Sequence, residues 1–445
     1  MGHYGNNRSW KWRLRGSRPA ARMKARRMAN DNTGEIVIHQ LDGNALPQRR
    51  ARGSAELVDA RLLRTIAAAL PADMPPVSAL GVETALEAMS DATKAAIAAD
   101  LDCFVGWCVE ERRSPFPADP EDLVRYLRHL EAQGKKPATL SRRMATLASA
   151  HRLVGIGDKD GLPTDHPMVR NALRANRRRK GAVQRQAAPL RYGGALDELG
   201  EVKGFTITAL LDACGGDPQG LRDAGLLSVG YDAGLRVSEL TAAAVKQLEP
   251  QADGSGLLAI PRSKTDQEGQ GSWAWLSPET MRRVQAWLVQ SSIEDGPLFR
   301  RVGIDRRRAR AAVPPQSYQS IPGNTRHWQE RLSGAPAVQA QVTYTIGETP
   351  LTRQGVCAIY RRIALAVADA GLVDIAGDKL SEALAALSTH SLRVGLTQDL
   401  FAAGEDGAGI ALTLRWSSPA TALRYGRKLA VRSNAASRVL GTVRR

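Results

Sequence analysis

The sequence predicts a mainly α protein: an all-helical domain, then a larger α-rich domain carrying a small β-sheet or hairpin. Three observations predict it. From about 86 to 180, apolar residues recur at helical spacing between recognisable caps, with no strand signal. "GLLAIPRSKTDQEGQGSWAWL" has two β-rich runs around a polar, Gly-rich turn, as a hairpin does. Beyond it the helical period returns, in "LTRQGVCAIYRRIALAVADAG", closed by Gly371.

In chain order, the first thirty residues hold nine Lys or Arg and no Asp or Glu. No apolar core follows them, so they do not read as a secretory signal, and they lack the amphipathic period of an organelle transit peptide. Trp10 and Trp12 interleave with the basic residues. A disordered nucleic-acid-binding arm and a translation start at Met23 or Met28 explain this equally well. Pro47, Pro71, Pro75 and Pro76 break the next stretch, leaving one short helix around "SAELVDARLLRTIAAAL". Residues 1–85 are therefore expected to be a basic, largely disordered arm.

The helical domain is expected over 86–180 with four or five helices. "SDATKAAIAADLDCFVGWCVEE" takes Ser90 or Asp91 as its cap. In "DPEDLVRYLRHLEAQG", Asp119 caps, Pro120 takes the first turn and Gly134 closes. "PATLSRRMATLASAHRLVG" follows, ending at Gly155, and then "DHPMVRNALRANRRRKG". Residues 181–199 read as a basic linker. The second domain spans 200–432: a buried helix, a turn at Gly234, a short helix, the hairpin and more helices. An inserted loop rich in Arg, Pro and Gln is expected at about 303–347.

The formal net charge is +17 over 445 residues, which points to a polyanionic partner, most often nucleic acid. No run of about 18 apolar residues is present to span a membrane. Cys103, Cys108, Cys214 and Cys357 form no C-x-x-C pair, so buried thiols in a reducing, cytoplasmic compartment are expected.

Four stretches carry chemistry, and each alone has a bland reading. In "THSLRVG", Ser388 or Thr389 is expected to cap a helix, with His390 and Arg393 three apart on one face. Alone it reads as a surface pair. In "GLRVSEL", Arg236 leaves a buried element at a tight turn and needs an anion or a carboxylate; Glu239 would serve. "RSKTD" puts Lys264 near the tip of the hairpin, where lysines are usually solvated. "LRWSSPATALRYGRKL" ends one helix near Trp416 and starts another at Ser418-Pro419, with Tyr425 nearly two turns in. Gly426 directly behind it costs about 1 kcal/mol against Ala, which favours mobility there.

Two Arg, a Lys, a His and a Tyr suit phosphoryl transfer at a phosphodiester. Guanidiniums match the charge on the two non-bridging oxygens. A tyrosine hydroxyl, with a pKa of about 10, attacks if a base and a positive field help it. A lysine with a lowered pKa can protonate the leaving sugar oxygen. The arginines neutralise the charge, so neither metal nor other cofactor is expected. The sequence has no carboxylate cluster suited to magnesium and no phosphate-cradling Gly-rich loop before a helix.

These boxes resemble the tyrosine site-specific recombinases of the phage integrase family, most closely the Cre-like ones. The order Arg, hairpin Lys, His-x-x-Arg, Trp, Tyr agrees, as do the twenty-three residues from Arg393 to Trp416 and the nine from Trp416 to Tyr425. "FVGWC", "FPADPEDLVRYLRHLEAQG" and "TLSRRMATLASAHRLVG" extend the likeness, which covers about 90–440 except the insertion. The resemblance implies that Arg236 and Arg393 clamp the scissile phosphate. His390 bonds it and accepts the tyrosine proton, Trp416 donates its indole N–H, Lys264 protonates the 5′ oxygen, and Glu239 orients Arg236. Tyr425 attacks phosphorus, leaving a 3′-phosphotyrosyl link that a partner 5′-hydroxyl reverses through a Holliday junction, without ATP. Arg353, in the helix opening "LTRQG", is implied to read the major groove, with Lys94, Arg142 and Arg143 touching DNA from the helical domain. The two domains would close as a clamp on double-stranded DNA. The tail 433–445, with Ala436, Val439 and Leu440 as its apolar stripe, would dock on a neighbouring protomer, giving a homotetramer on paired inverted-repeat sites. A type IB topoisomerase and a non-catalytic DNA-binding protein are the competing readings.

Overall fold

The computed structural model describes residues 36–40, 55–71, 77–157, 161–181, 186–193, 195–196, 202–261, 271–321, 328–375, 377–432 and 439–440. It divides into two units, one of 1–39 with 303–345 and one of 40–302 with 346–445. Strand β1 (Ile36–Gln40) opens the described chain.

Six helices follow: α1 (Ala55–Ala69), α2 (Ala79–Glu87), α3 (Asp91–Glu110), α4 (Pro120–Ala132), α5 (Pro137–Leu153) and α6 (Pro167–Lys180). Their stops and starts are those the side chains dictate. Ser90 Oγ accepts the Thr93 amide at 3.3 Å, and Asp119 accepts that of Glu121 at 2.6 Å. Gly134 and Gly155 close α4 and α5 at φ 76° and 75°. Leu62, Leu101, Phe104, Leu123 and Leu147 meet in one core, each buried side chain contributing about 1.5–3 kcal/mol. Leu62 sits on α1, so the helical core begins well upstream of residue 86. The sequence hid this because the prolines between α1 and α2 look like the end of order.

The α-rich portion opens with the short pair β2 (Ala195–Leu196) and β3 (Val202–Lys203), then α7 (Ile207–Asp212), α8 (Pro218–Asp232) and α9 (Val237–Ala242). The antiparallel sheet β4 (Leu248–Pro250), β5 (Gly256–Ile260), β6 (Ser272–Leu276) contains the expected hairpin, in the register Leu258 opposite Ala274. Helix α10 (Pro278–Ser291) packs on α8 and buries Trp287, whose indole N–H donates to the Leu298 carbonyl at 2.8 Å.

The stretch read as an inserted loop is structured. Strands β7 (Arg300–Arg307) and β8 (Gln341–Pro350) flank the short helix α11 (Trp328–Ser333), and the three-stranded sheet runs in the order β1-β8-β7. Arginines mask the strand pattern of β7, whereas the β-branched alternation of "QVTYTIGETP" was a legible sign of β8.

The chain ends in α12 (Arg353–Asp369), α13 (Gly377–Ala386), α14 (Ser391–Ala402), α15 (Gly407–Thr413) and α16 (Pro419–Arg432). Part of the expected linker is built in: the Leu190 amide donates to the Ser391 carbonyl at 3.0 Å, and buried Arg191 pairs with Asp399 at 2.5 Å. A Cβ on Gly395 would lie 1.8 Å from the Leu190 oxygen, so α14 needs glycine where the linker crosses it.

Helix α16 leaves helical geometry at Gly426, with φ −125° and ψ 25°. A Cβ there would lie 2.1 Å from the ring of buried Phe401. The expected reason for this glycine was mobility; close packing is the reason the structure supplies. Gly426→Ala is expected to cost about 1–3 kcal/mol in denaturant unfolding through overpacking. A second change, Phe401→Leu, should return part of that loss.

Candidate active site

Arg236 stands at the N-terminus of α9, where the chain leaves buried α8 through Gly234 at φ 52°. Glu239, one turn on and buried, accepts from the Arg236 amide at 2.9 Å and from its guanidinium at 2.7 Å. This fixes the arginine at the turn.

His390 sits immediately before α14 and Arg393 lies in its first turn. The cap is not the expected side chain. Ser388 Oγ accepts the His390 amide at 3.1 Å while Ser391 Oγ accepts the Ser388 amide at 3.0 Å, so the two serines shape the loop that holds the imidazole. Arg393 is 1% exposed and donates to the carbonyls of Gly234 and Leu414. Its buried Nε has no acceptor among the described residues. Burial first, then the charges of Arg236 and Arg415, push its pKa down to about 9, which still leaves a cation at neutral pH.

Tyr425 comes from α16. Its hydroxyl lies 3.1 Å from His390 Nε2, and its ring stacks on Trp416 at 5.4 Å and 15°. The Arg393 guanidinium carbon lies 5.1 Å from the centre of the Trp416 ring. Phenol, imidazole, indole and guanidinium thus form one contact set. Gln398 donates to the Tyr425 carbonyl at 3.2 Å, and Gln186 donates to that of Arg424.

Burial, then Arg393 and Arg236, hold His390 down at about 4. The imidazole is therefore neutral at pH 7, so its Nε2 can accept a hydrogen bond from the Tyr425 hydroxyl. Because the folded state disfavours its protonation, His390 withdraws stability as pH falls from its unfolded value of 6.5 towards about 4, and the penalty saturates below that. An NMR titration of labelled histidine should place its midpoint below 5; a midpoint near 6.5 would contradict this burial.

Sequence reasoning passed over Arg415. Its backbone is left-handed at φ 55°, which turns the guanidinium back to 3.5 Å from Glu239 and 2.9 Å from the Ala233 carbonyl. Two guanidiniums thus pair with one carboxylate, and its charge also acts on Arg393. An arginine just before Trp416, closing an apolar helix, was the only local sign of it.

The structure separates the other expected residues. Lys264 lies outside the described residues. Lys94 is buried with its ammonium 2.9 Å from Asp59, so it is spent inside the helical core rather than offered to a duplex. Arg142 and Arg143 share buried Asp100, and Arg143 also donates to the Tyr126 hydroxyl at 2.6 Å. Arg353 is exposed in the first turn of α12. Cys103 is exposed, against the expectation of four buried thiols, and only Cys108 is fully buried. Of the tail stripe, Val439 and Leu440 are exposed and Ala436 lies outside the described residues.

A largely buried arginine cluster thus holds an indole and faces a histidine-bonded tyrosine. No family model matches the chain. Curated relatives do. The chain is 30% identical to the integrase/recombinase xerD homolog of Selenomonas ruminantium over 217 residues, 47% of this chain and 60% of that protein. It is 27% identical to the recombinase cre of Escherichia phage P1 over 224 residues, 49% of this chain and 62% of that protein. The chain thus spans about 60% of the length of these relatives, to which it is distantly similar. Among solved structures it is similar to XerH bound to a palindromic difH substrate, with a TM-score of 0.47 and 13% identity over 85% of this chain and 94% of that one. The Tn1549 transposon integrase bound to a circular-intermediate DNA matches with a TM-score of 0.43 and 11% identity over 83% and 94%. Among the described residues, no helix is long and apolar enough to cross a membrane.

Proposed function

We propose that the protein cuts and rejoins DNA strands at specific sites through a 3′-phosphotyrosyl intermediate on Tyr425. The observation that carries this is the 3.1 Å contact from the Tyr425 hydroxyl to His390 Nε2, beside a cationic cluster with an unpartnered Arg393 Nε. Tyr425 attacks phosphorus as neutral His390 takes its proton. Arg236 and Arg393 hold the non-bridging oxygens, and Trp416 adds its N–H. Glu239 and Arg415 position Arg236. Lys264 protonates the departing 5′ oxygen. A 5′-hydroxyl from a second duplex reverses the step, so two rounds on paired inverted-repeat sites pass through a Holliday junction. The assembly for this is a tetramer, with the 433–445 tail reaching a neighbour. Arg353, Arg142 and Arg143 contact the duplex, from domains bounded near 180 and 200.

The test uses a random duplex library carrying 5′-bridging phosphorothioates, whose cleavage releases a thiol that cannot religate. Wild type should yield covalent protein–DNA adducts with recurring sequences, and Tyr425→Phe none. No adduct from wild type would sink the enzymatic reading. Full-rate relaxation of any plasmid by a monomer would replace it with a topoisomerase.

A further inference from the structure

No role follows from the sequence of residues 303–347 alone. The structure makes much of it a long antiparallel ribbon. β7 and β8 are neighbours, and isolated bridges Arg310–Val338 and Val313–Ala335 continue the pairing beyond them. The Gln316 amide then donates to the Arg331 carbonyl at 3.0 Å.

The ribbon is strongly basic beyond Asp305. Arg306, Arg307, Arg308 and Arg310 are all exposed, and none has an acidic partner among the described residues. From Arg306 to Gly347 the sequence holds a single acid, Glu330. Several arginines elsewhere are paired with acids: Arg142 with Asp100, Arg191 with Asp399, Arg236 with Glu239. Four adjacent guanidiniums left to solvent repel one another, and a bound polyanion would relieve that repulsion. Arg306 and Arg307 end β7, Arg308 follows it and Arg310 takes the next bridge, so four guanidiniums gather within five residues of the ribbon. Such a cluster of fixed positive charge suits a phosphate backbone.

We infer that this ribbon is a second duplex-DNA contact surface, made of residues other than those proposed for cleavage. It binds the phosphate backbone, where clustered charge adds affinity without carrying sequence information. The inference rests on the proposed function in that duplex DNA is the polyanion, but it does not require that Tyr425 cleave.

The test compares full-length wild type with the quadruple change Arg306→Ser, Arg307→Ser, Arg308→Ser, Arg310→Ser. All four side chains are exposed, so circular dichroism and thermal unfolding should be unchanged. Binding to a random-sequence duplex is measured by fluorescence anisotropy across salt. Neutralising three or four phosphates gives a slope of about −0.9 per contact, so the variant's log–log salt slope should be shallower by roughly 3. Affinity near 0.1 M salt should fall at least tenfold. The corresponding four Arg→Lys changes should keep both. An unchanged slope and affinity would overturn the inference, as would loss of binding to anionic vesicles or single-stranded RNA with duplex binding intact. Tyr425→Phe separates the two readings: it should bind with the full slope while forming no adduct. Ribbon-dependent binding without any wild-type adduct would uphold the ribbon and remove the enzyme.

Discussion

Arg393→Ala is expected to lower the rate of covalent adduct formation by about 10³-fold or more, since removal of even one preorganised donor at a developing oxyanion typically costs 10²–10³. Arg393 supplies more than one donor. Its Nε has no acceptor among the described residues, and its other nitrogens are fixed by the carbonyls of Gly234 and Leu414. The same side chain positions Trp416, whose ring lies 5.1 Å from the guanidinium carbon and stacks on Tyr425. Arg393→Lys should recover little. Its ammonium cannot serve two backbone carbonyls, an indole face and a phosphate in one plane. The readout is single-turnover trapping with a phosphorothioate substrate. A lysine variant within threefold of wild type would show that charge alone matters there.

Glu239→Ala is expected to cause the largest loss of stability, about 3–5 kcal/mol, because it strands charges that its carboxylate pairs inside the protein. Glu239 is 7% exposed and touches Arg236 at 2.7 Å and Arg415 at 3.5 Å. Without it three guanidiniums face one another, and the positive charges already lower the pKa values of Arg393 and His390. Glu239→Gln keeps an acceptor for the Arg236 amide and should lose roughly half as much. Sulfate or inorganic phosphate should restore melting temperature in both variants more than in wild type, by occupying the anion-deficient cluster. Equal stabilisation of all three would argue that anions bind elsewhere.

Much of this site was legible because its chemistry is written in short local patterns. A helix-starting His-x-x-Arg, an arginine after a buried helix, and a tyrosine at fixed distance from a tryptophan survive reading in one dimension. The turn at Gly234 and the caps at Ser90 and Asp119 were legible for the same reason, since backbone geometry there depends on neighbours in sequence. Partnerships across the chain were not. Lys94 looked like a surface cation because Asp59 lies on another helix. Arg415 looked ordinary because only its left-handed backbone aims it at Glu239. Gly426 suggested freedom, and the ring of Phe401 that forbids a side chain there comes from α14. In each case the deciding atom belongs to an element distant in sequence.

The sheet order β1-β8-β7 has a consequence for how the protein is made. Strand β1 ends at Gln40 and its neighbour β8 starts at Gln341. On a ribosome adding about 5–20 residues per second, roughly 15–60 s separate the emergence of the two. The six-helix core, built from contacts within 55–180, has time to fold in that interval. Residues 36–40 meanwhile carry backbone donors and acceptors with no β8 to receive them. This sheet therefore closes late in synthesis. A chain cut short before Gln341 would expose that edge to other nascent chains, making truncated products of this gene more prone to associate than a lost domain alone would suggest.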